Sequence, residues 1–245
     1  MSMDVSTGAN SMMLELAGVN AFYGRAQILF DVSLNIGRGE VVALMGRNGA
    51  GKSTTMKAVM GLLQRTRGSI RFGAQQINGL QPYEIARLGL GFVPEDRRIF
   101  TDLSVMENLE VGKQAARAGV AAWTPEKLFR LFPNLGEMPH RAGGSMSGGE
   151  PQMLTVSRTL MGNPSLLLLD EPSEGVAPVI VEQMANMIIE LKKQGISILL
   201  SEQNVQFAEL VSDRVYVLEK GQIRYQGTME ELAKDESVRR SYLSV

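Results

Sequence analysis

The sequence GRNGAGKS at residues 46–53 constrains the fold more than any other stretch, because it fits the pattern Gly-x-x-x-x-Gly-Lys-[Ser/Thr]. An apolar run at residues 41–45 precedes it, and a helix is predicted from Ser53 to about Leu63. A strand, a glycine-rich turn and a helix in this order form a loop whose backbone N–H groups point at phosphate oxygens. We expect the Lys52 charge to face the β- and γ-phosphates and the Ser53 hydroxyl to ligate Mg²⁺. The residues expected to form this phosphate site are Gly46, Arg47, Asn48, Gly49, Ala50, Gly51, Lys52, Ser53 and Thr54.

Composition excludes several classes of protein. The 245 residues carry a net charge of −1, so no overall basic field favours nucleic acid, and no nucleic-acid partner is expected. The absence of cysteine excludes disulfide bonds and thiol catalysis. No apolar run approaches the roughly 20 residues that a membrane span needs, and the polar start of the chain does not resemble a signal peptide. We therefore expect a cytosolic protein for which any role at a membrane occurs by docking, with a disordered tail at residues 1–11 and one domain at 12–245.

Strand patterns alternate with helical ones over most of the chain, which predicts an α/β fold with a parallel sheet covered on both faces. Between about residues 95 and 160 the helical pattern prevails, which predicts an inserted helical subdomain. Elsewhere, helices are predicted at about 82–88, 179–193 and 228–232. Strands are predicted at about 13–19, 28–36, 40–45, 68–72, 90–93, 166–169, 196–200, 215–218 and 223–225.

Two acids follow the run of four leucines at residues 166–169. In open parallel sheets, ligands bind at the carboxyl ends of the strands, so Asp170 and Glu171 are expected at the phosphate site. Asp170 is predicted to hold Mg²⁺, and Glu171 to polarise the water that attacks the γ-phosphate. A plain strand end is the alternative, and the phosphate loop upstream argues against it.

A second anion site is predicted where SGGEPQ, at residues 147–152, opens a helix. Ser147 is expected to cap this helix, and Gly148 and Gly149 expose backbone N–H groups at its positive end. Pro151 is compatible with a helix if it lies in the first turn.

Taken together, these motifs resemble the ATP-binding subunit of an ABC transporter. Residues 147–150 match the family signature L-S-G-G-[EQ]-Q, with Met146 in place of Leu and Pro151 in place of Gln, and the resemblance covers the chain from about Met13 onward. It implies a P-loop (RecA-like) core with an N-terminal antiparallel β lobe and an inserted helical lobe. It also implies that the signature Ser147, Gly148 and Gly149 closes on ATP held by a second ATPase subunit.

The resemblance further implies partners and a location. The family implies two transmembrane permease subunits, a second ATPase subunit as homo- or heterodimer, and an extracytoplasmic solute-binding protein that acts indirectly. The expected location is peripheral, at the cytoplasmic face of the cell membrane. ATP and Mg²⁺ are the implied cofactors.

Three further positions carry over from the family. Tyr23 lies where an aromatic side chain stacks on adenine, although an ordinary half-buried tyrosine is the alternative. Glu95 lies where the family usually has a Gln that touches Mg²⁺, and Gln203 where it usually has a His that contacts the γ-phosphate. Gln203 can donate a hydrogen bond but cannot become cationic. The expected catalytic set is thus Glu171, Gln203 and Lys52, and the expected metal ligands are Ser53, Glu95 and Asp170.

The segments VPE at 93–95, RRIF at 97–100 and EQN at 202–204 resemble the LivF-type ATPase of branched-chain amino-acid importers. The pair Glu174 and Gly175 is also similar to ATPases of urea importers, so import of urea or short-chain amides is the alternative cargo. Two non-transport alternatives remain open, namely a soluble ABC-type ATPase acting on DNA or ribosomes and a nucleotide-binding regulator without turnover. Salt-dependent nucleic-acid binding would favour the first, and turnover that is lost in Glu171→Gln would exclude the second.

Overall fold

The computed structural model describes residues 12–116 and 122–243, so the tail predicted at residues 1–11 lies outside the described residues. The strands are β1 (Met12–Tyr23), β2 (Ala26–Gly37), β3 (Val41–Met45), β4 (Arg65–Phe72), β5 (Gln75–Gln76), β6 (Leu90–Val93), β7 (Leu166–Asp170), β8 (Ser197–Glu202), β9 (Arg214–Glu219) and β10 (Gln222–Thr228). The helices are α1 (Lys52–Val59), α2 (Pro82–Leu88), α3 (Val105–Gly112), α4 (Pro125–Leu131), α5 (Pro133–Gly136), α6 (Glu150–Leu160), α7 (Pro178–Lys193), α8 (Val205–Val211), α9 (Met229–Lys234) and α10 (Glu236–Tyr242), and a 3₁₀ turn lies at Gly143–Ser145.

A six-stranded sheet in the order β10-β9-β3-β8-β7-β6 positions the candidate site. Strands β9, β3, β8, β7 and β6 are parallel, and β10 pairs antiparallel with β9 at the edge. Every residue of β3, β7 and β8 is buried, as expected for parallel strands covered on both faces. The parallel direction brings the carboxyl ends of β3, β6, β7 and β8 to one edge, so the polar residues that follow these strands lie along that edge.

Side chains of the central strands alternate between two cores on opposite faces of this sheet. Leu167 and Leu169 of β7 pack in the core that includes buried residues of α6 and α7. Leu166 and Leu168 pack in the core that includes residues of α1, β1 and β2. The four consecutive leucines are therefore all buried because a strand places successive side chains on opposite faces, and here both faces are covered.

A four-stranded antiparallel sheet in the order β2-β1-β4-β5 forms the predicted N-terminal β lobe. The β9–β10 turn connects this lobe to the phosphate loop. Gly221 accepts a hydrogen bond from Phe30 N–H and donates its own N–H to Ala50 O, both at 2.8 Å. The φ angles of Lys220 and Gly221 are 48° and 75°, as a tight two-residue hairpin requires. The β9–β10 turn therefore supports the phosphate loop through the hydrogen bond from Gly221 to Ala50.

Helices α3, α4, α5 and α6 lie between residues 95 and 160, where the sequence predicts a helical region. Backbone hydrogen bonds of 2.8 to 3.0 Å pair residues 101–106 with residues 139–144. The first of these segments follows Glu95, and the second leads to Ser147. We call this pairing the 101–144 ladder; it fixes the chain after Glu95 against the chain before the signature.

The structure differs from the sequence prediction in three helices, of which the last, α10 (Glu236–Tyr242), was not predicted. Helix α1 ends at Val59 rather than near Leu63, because Gly61 has a φ of 66° and approaches the backbone of Leu80 too closely for a side chain. Helix α8 was not predicted from the sequence. It is only one to two turns long, and the Asn204 side chain caps it by accepting the Phe207 N–H.

Candidate active site

The phosphate loop lies between β3 and α1, as its sequence predicts. Gly46 follows the last residue of β3, and a Cβ on Gly46 would lie 2.3 Å from the carbonyl oxygen of Leu218. Gly51 precedes the helix with a φ of 113°, a conformation that side-chain-bearing residues rarely adopt. The loop is closed by a hydrogen bond of 3.1 Å from Ala50 N–H to Arg47 O. Glycine is therefore required at both positions for the loop to curl.

Lys52 begins α1 and extends its ammonium group into this loop. The Nζ atom lies 2.7 Å from Gly46 O, 3.3 Å from Arg47 O and 2.9 Å from the Glu171 carboxylate. Only 3% of Lys52 is exposed. Its charge is therefore held inside the loop and balanced by the acid that follows β7, two strands away from β3 in the sheet.

Ser53 and Asp170 meet at the same edge. Asp170 Oδ1 accepts hydrogen bonds from Ser53 Oγ at 3.0 Å and from Ser201 Oγ at 2.6 Å. Burial raises the pKa of Asp170, and the hydrogen bonds from both hydroxyls oppose that shift. Within the described residues no salt bridge joins Asp170 to a basic side chain. A buried carboxylate beside a hydroxyl, with no described cation in salt-bridge contact, is a set of hard oxygen donors that fits Mg²⁺.

Glu171 projects from a strained backbone. Its φ is 48°, and its N–H donates to Ser201 O at 3.1 Å and to Ser201 Oγ at 3.2 Å. Burial by itself raises the pKa of Glu171, but hydrogen bonds from Glu174, Lys52 and Gln203 outweigh it, so that the pKa is lowered. The carboxylate is thus ionised at neutral pH and able to accept a proton.

Gln203 connects the two sides of the site. Its side-chain Nε2 donates to Asn48 Oδ1 of the phosphate loop and to Glu171 Oε2, both at 2.7 Å. An amide at this position can therefore hold the Glu171 carboxylate and the loop together without carrying a charge.

Glu174 places a second carboxyl group beside Glu171. A hydrogen bond shared with Glu171, together with burial and repulsion from Glu171 and Glu95, raises the pKa of Glu174 to about 7. The Arg97 guanidinium donates to the Glu174 backbone oxygen at 2.6 Å, which connects this loop to the segment after β6. At acidic to neutral pH the Glu174 carboxyl group therefore carries the proton of the hydrogen bond that it shares with the ionised Glu171.

Other predicted site residues lie outside this cluster. Tyr23, at the end of β1, is 47% exposed, so its ring is available for stacking. Glu95 is exposed after β6, and no hydrogen bond or salt bridge within the described ranges joins it to Ser53 or Asp170. Thr54 is buried in the first turn of α1.

The signature residues open helix α6, but the capping prediction for Ser147 is wrong. Gly149 is the N-cap, and no side chain caps the helix. Instead, the Glu150 carboxylate accepts the Ser147 N–H at 2.9 Å. A Cβ on Gly149 would lie 2.5 Å from the Ile180 side chain, whereas Ser147 and Gly148 are exposed. Pro151 lies in the first turn, as predicted, where no helical hydrogen bond is lost.

Sequence reasoning missed Ser201 and Glu202 as members of the site, and it named Glu174 without a role. Ser201 bonds both Asp170 and Glu171, and Glu202 lies beside Gln203. The signal was present, since both residues follow an apolar run at the carboxyl end of a parallel strand. The rule that singled out Asp170 and Glu171 applies equally to β8.

The sequence model of the ABC transporter family matches residues 29–174. The chain belongs to the ABC transporter family. BraG of Pseudomonas aeruginosa, a high-affinity branched-chain amino acid transport ATP-binding protein, is 42% identical over 231 residues, which cover 94% of this chain and 99% of BraG. LivF of Archaeoglobus fulgidus, a probable branched-chain amino acid transport ATP-binding protein, is 34% identical over 91% of this chain and 95% of LivF. LptB of Escherichia coli (strain K12), a lipopolysaccharide export system ATP-binding protein, is 35% identical over 91% of this chain and 93% of LptB.

Solved structures of ABC transporter cassettes share the fold. The ATP-binding subunit of an ABC transporter superposes with a TM-score of 0.80 at 28% identity, covering 95% of this chain and 96% of that one. The ADP conformation of another ABC cassette has a TM-score of 0.78 at 27% identity, covering 94% and 97%. The predicted fold class, the family resemblance and the assignment of the chain as an ABC-type ATPase are confirmed.

Proposed function

We propose that this chain is the ATP-binding and ATP-hydrolysing subunit that powers an ABC importer of branched-chain amino acids. The observation that carries the proposal is the buried Glu171 carboxylate, which is 7% exposed and lies 2.9 Å from the Lys52 ammonium of the phosphate loop. A base held at the point where phosphates enter the loop is what hydrolysis requires. The identity of 42% to BraG over nearly the whole of both chains supports the cargo.

In this proposal the residues divide their roles by position. The phosphate loop, residues 46–54, binds the phosphates, and Lys52 exchanges the Glu171 carboxylate for phosphate oxygens. Glu171, released from Lys52, holds the attacking water and accepts its proton. Gln203 donates from its amide to hold Glu171 or the γ-phosphate, and Tyr23 stacks on adenine.

We propose Ser53 and Asp170 as the Mg²⁺ ligands, with Glu95 reaching the ion from the end of β6. The short distance between Ser53 Oγ and Asp170 Oδ1 supports the first two. The ion would neutralise charge on the phosphates. The position of Glu95 at the same edge of the sheet supports its role as a metal ligand. No hydrogen bond in the described residues joins it to Ser53 or Asp170.

The proposed assembly has two ATPase subunits, two transmembrane permease subunits and, acting indirectly, an extracytoplasmic solute-binding protein. Within residues 12–116 and 122–243, no helix combines the length and the apolar character needed to cross a bilayer. We therefore propose peripheral docking at the cytoplasmic face of the membrane. Ser147, Gly148 and Gly149 would complete the site of the second ATPase subunit, identical or different.

Two other classes of transported substrate are alternatives to branched-chain amino acids. The lipopolysaccharide-export relatives are 32 to 35% identical, lower than BraG, which favours the amino-acid cargo. Import of urea or short-chain amides rests on the Glu174 and Gly175 pair alone.

Uptake of labelled leucine, isoleucine, valine and urea by cells whose native copy carries Lys52→Ala tests the cargo. We expect uptake of the three amino acids to be lost and urea uptake to be retained. Lys193→Ala, an exposed lysine at the end of α7, is the matched control and leaves all uptake unchanged. Loss of urea uptake alone would transfer the protein to the urea importers, and no change in any solute would remove the cargo assignment.

A further inference from the structure

Glu202 is the last residue of β8 and a buried carboxylate that the proposed hydrolysis does not use. Its side chain is 2% exposed, and within the described part of the chain no salt bridge joins it to a basic residue. Burial raises the pKa of Glu202, and the hydrogen bonds that it accepts oppose the shift. A carboxylate in such surroundings is unfavourable unless hydrogen bonds compensate for the lost water. The hydrogen bonds that the Glu202 carboxylate accepts therefore indicate its role.

Backbone N–H groups from two different loops supply these bonds. Glu202 Oε1 accepts the Ser173 N–H at 3.1 Å, from the loop after β7. Glu202 Oε2 accepts the N–H groups of Gln203 at 3.1 Å and Asn204 at 3.2 Å, from the loop after β8. One carboxylate thus connects the two loops.

Each of these loops carries a group of the candidate active site. Glu171 lies two residues before Ser173, and the Gln203 amide donates to Glu171 Oε2 at 2.7 Å. The positive φ of Glu171 is unfavourable for a residue with a side chain and persists only where neighbouring contacts hold the backbone. The Glu202 bonds to Ser173 and Gln203 are contacts of this kind.

We propose that Glu202 is a positioning residue for hydrolysis, whose carboxylate sets the separation between the Gln203 amide and the Glu171 carboxylate by fixing both loops. This inference rests on the proposed function. Glu202 does not touch the phosphate loop in any hydrogen bond of the described residues. Its loss is therefore expected to slow the chemical step, and to reach nucleotide binding only indirectly, through the Gln203 bond to Asn48.

Steady-state hydrolysis of Mg-ATP by Glu202→Gln tests this separation of effects. The amide presents an NH₂ group to a backbone donor, so at least one connection is lost. We expect kcat to fall about ten- to a hundredfold, while KM and the Kd for nucleotide stay within about twofold. Glu40→Gln is the matched control, because this half-buried carboxylate pairs with Arg214 at the opposite edge of the sheet. It is expected to lower stability and leave kcat unchanged.

A double-mutant cycle distinguishes positioning from a general loss of structure. If Glu202 acts through Gln203, Glu202→Gln lowers kcat by a much smaller factor in the Gln203→Ala background than in the wild type. The same factor in both backgrounds, or an unchanged kcat in the single variant, overturns the proposal.

Amide hydrogen exchange provides a test that needs no turnover. In Glu202→Gln we expect exchange to accelerate about tenfold at Ser173, or at Gln203 and Asn204, according to which side the NH₂ group faces. Glu202→Asp, one methylene shorter, is expected to lose protection at Ser173 and keep it at Asn204. Unchanged exchange at all three amides overturns the proposal. Failure of the proposed function is recognised separately, by turnover in Glu171→Gln that equals the wild type.

Discussion

At the scale of single residues, Glu171 and Glu174 show how position gives two identical side chains different protonation states. Lys52 and Gln203 bind the carboxylate of Glu171 and keep it ionised. Glu174 is exposed, and its pKa of about 7 makes it the partner that holds the proton. The chain thus stores a proton next to its proposed catalytic base.

The protonation of Glu174 predicts a pH dependence of stability. Its pKa is raised in the folded protein, so its contribution is fully present below its ordinary value and is lost as pH rises through about 7. In Glu174→Gln the amide donates to Glu171 at every pH. We expect the melting temperature of the variant, relative to the wild type, to increase between about pH 5 and about pH 8.

Differential scanning fluorimetry of both nucleotide-free proteins over this range measures the effect. The charged groups that face Glu174 are Glu171, Glu95, Lys52 and Arg97, and all are unchanged in the variant. Glu236→Gln, on the exposed face of α10, is the control. A constant difference in melting temperature across the range would contradict the shared proton.

At the scale of elements, the β9–β10 turn supports the phosphate loop from a distant part of the sequence. Gly221 donates to Ala50 O and accepts from Phe30 N–H, and a Cβ on Gly221 would lie 1.8 Å from Ile28 O. The turn thus connects the phosphate loop with the β lobe. No local sequence pattern indicates such a contact, because it depends on how the sheet edge packs.

Gly221→Ala is predicted to weaken both the fold and nucleotide binding. The added methyl forces the turn away from Ile28, and the support of Ala50 is lost; we expect a loss of about 2 to 4 kcal/mol in the free energy of unfolding. Gly73→Ala is the matched control, since its φ is also positive at 55° and nothing lies within 4 Å of the added Cβ. Its cost is expected at about 1 to 2 kcal/mol. Urea unfolding and nucleotide titration measure both effects, and equal losses in the two variants would contradict the supporting role.

Elements with strong periodic patterns could be predicted from the sequence. The apolar run of β7 and its two acids predicted both the strand and the sheet edge, and the glycine pattern predicted the loop before α1. Helix α8 could not be predicted, because seven residues carry too little periodicity and its cap is a single asparagine. The connections of Ser201 and Glu202 also required the structure, since they depend on β8 lying between β3 and β7.

At the scale of the whole molecule, a single chain does not bring its two predicted anion-binding segments together. Ser147 and Gly148 are exposed at the start of α6, and within the described residues no hydrogen bond joins them to the phosphate loop. A second subunit would be needed to place a signature over each loop. The proposed function therefore predicts association that depends on nucleotide.

Glu171→Gln with saturating Mg-ATP is predicted to double in mass from the 26.7 kDa of one chain, because ATP is bound and not consumed. Multi-angle light scattering measures the mass. Lys52→Ala, which removes the charge proposed to hold the phosphates, is expected to stay monomeric under the same conditions. A Glu171→Gln protein that stays monomeric would mean that the chain does not pair with itself and requires a different ATPase subunit.

The 101–144 ladder has a mechanical consequence. Two segments joined by several backbone hydrogen bonds are held in a fixed relative position more firmly than a single unpaired loop. A displacement of the chain after Glu95 is therefore expected to move the chain before Ser147 with it. The paired segments between the end of β6 and the start of α6 are thus expected to move as one unit. Any flexibility in such a motion lies where this unit joins β6 and α6.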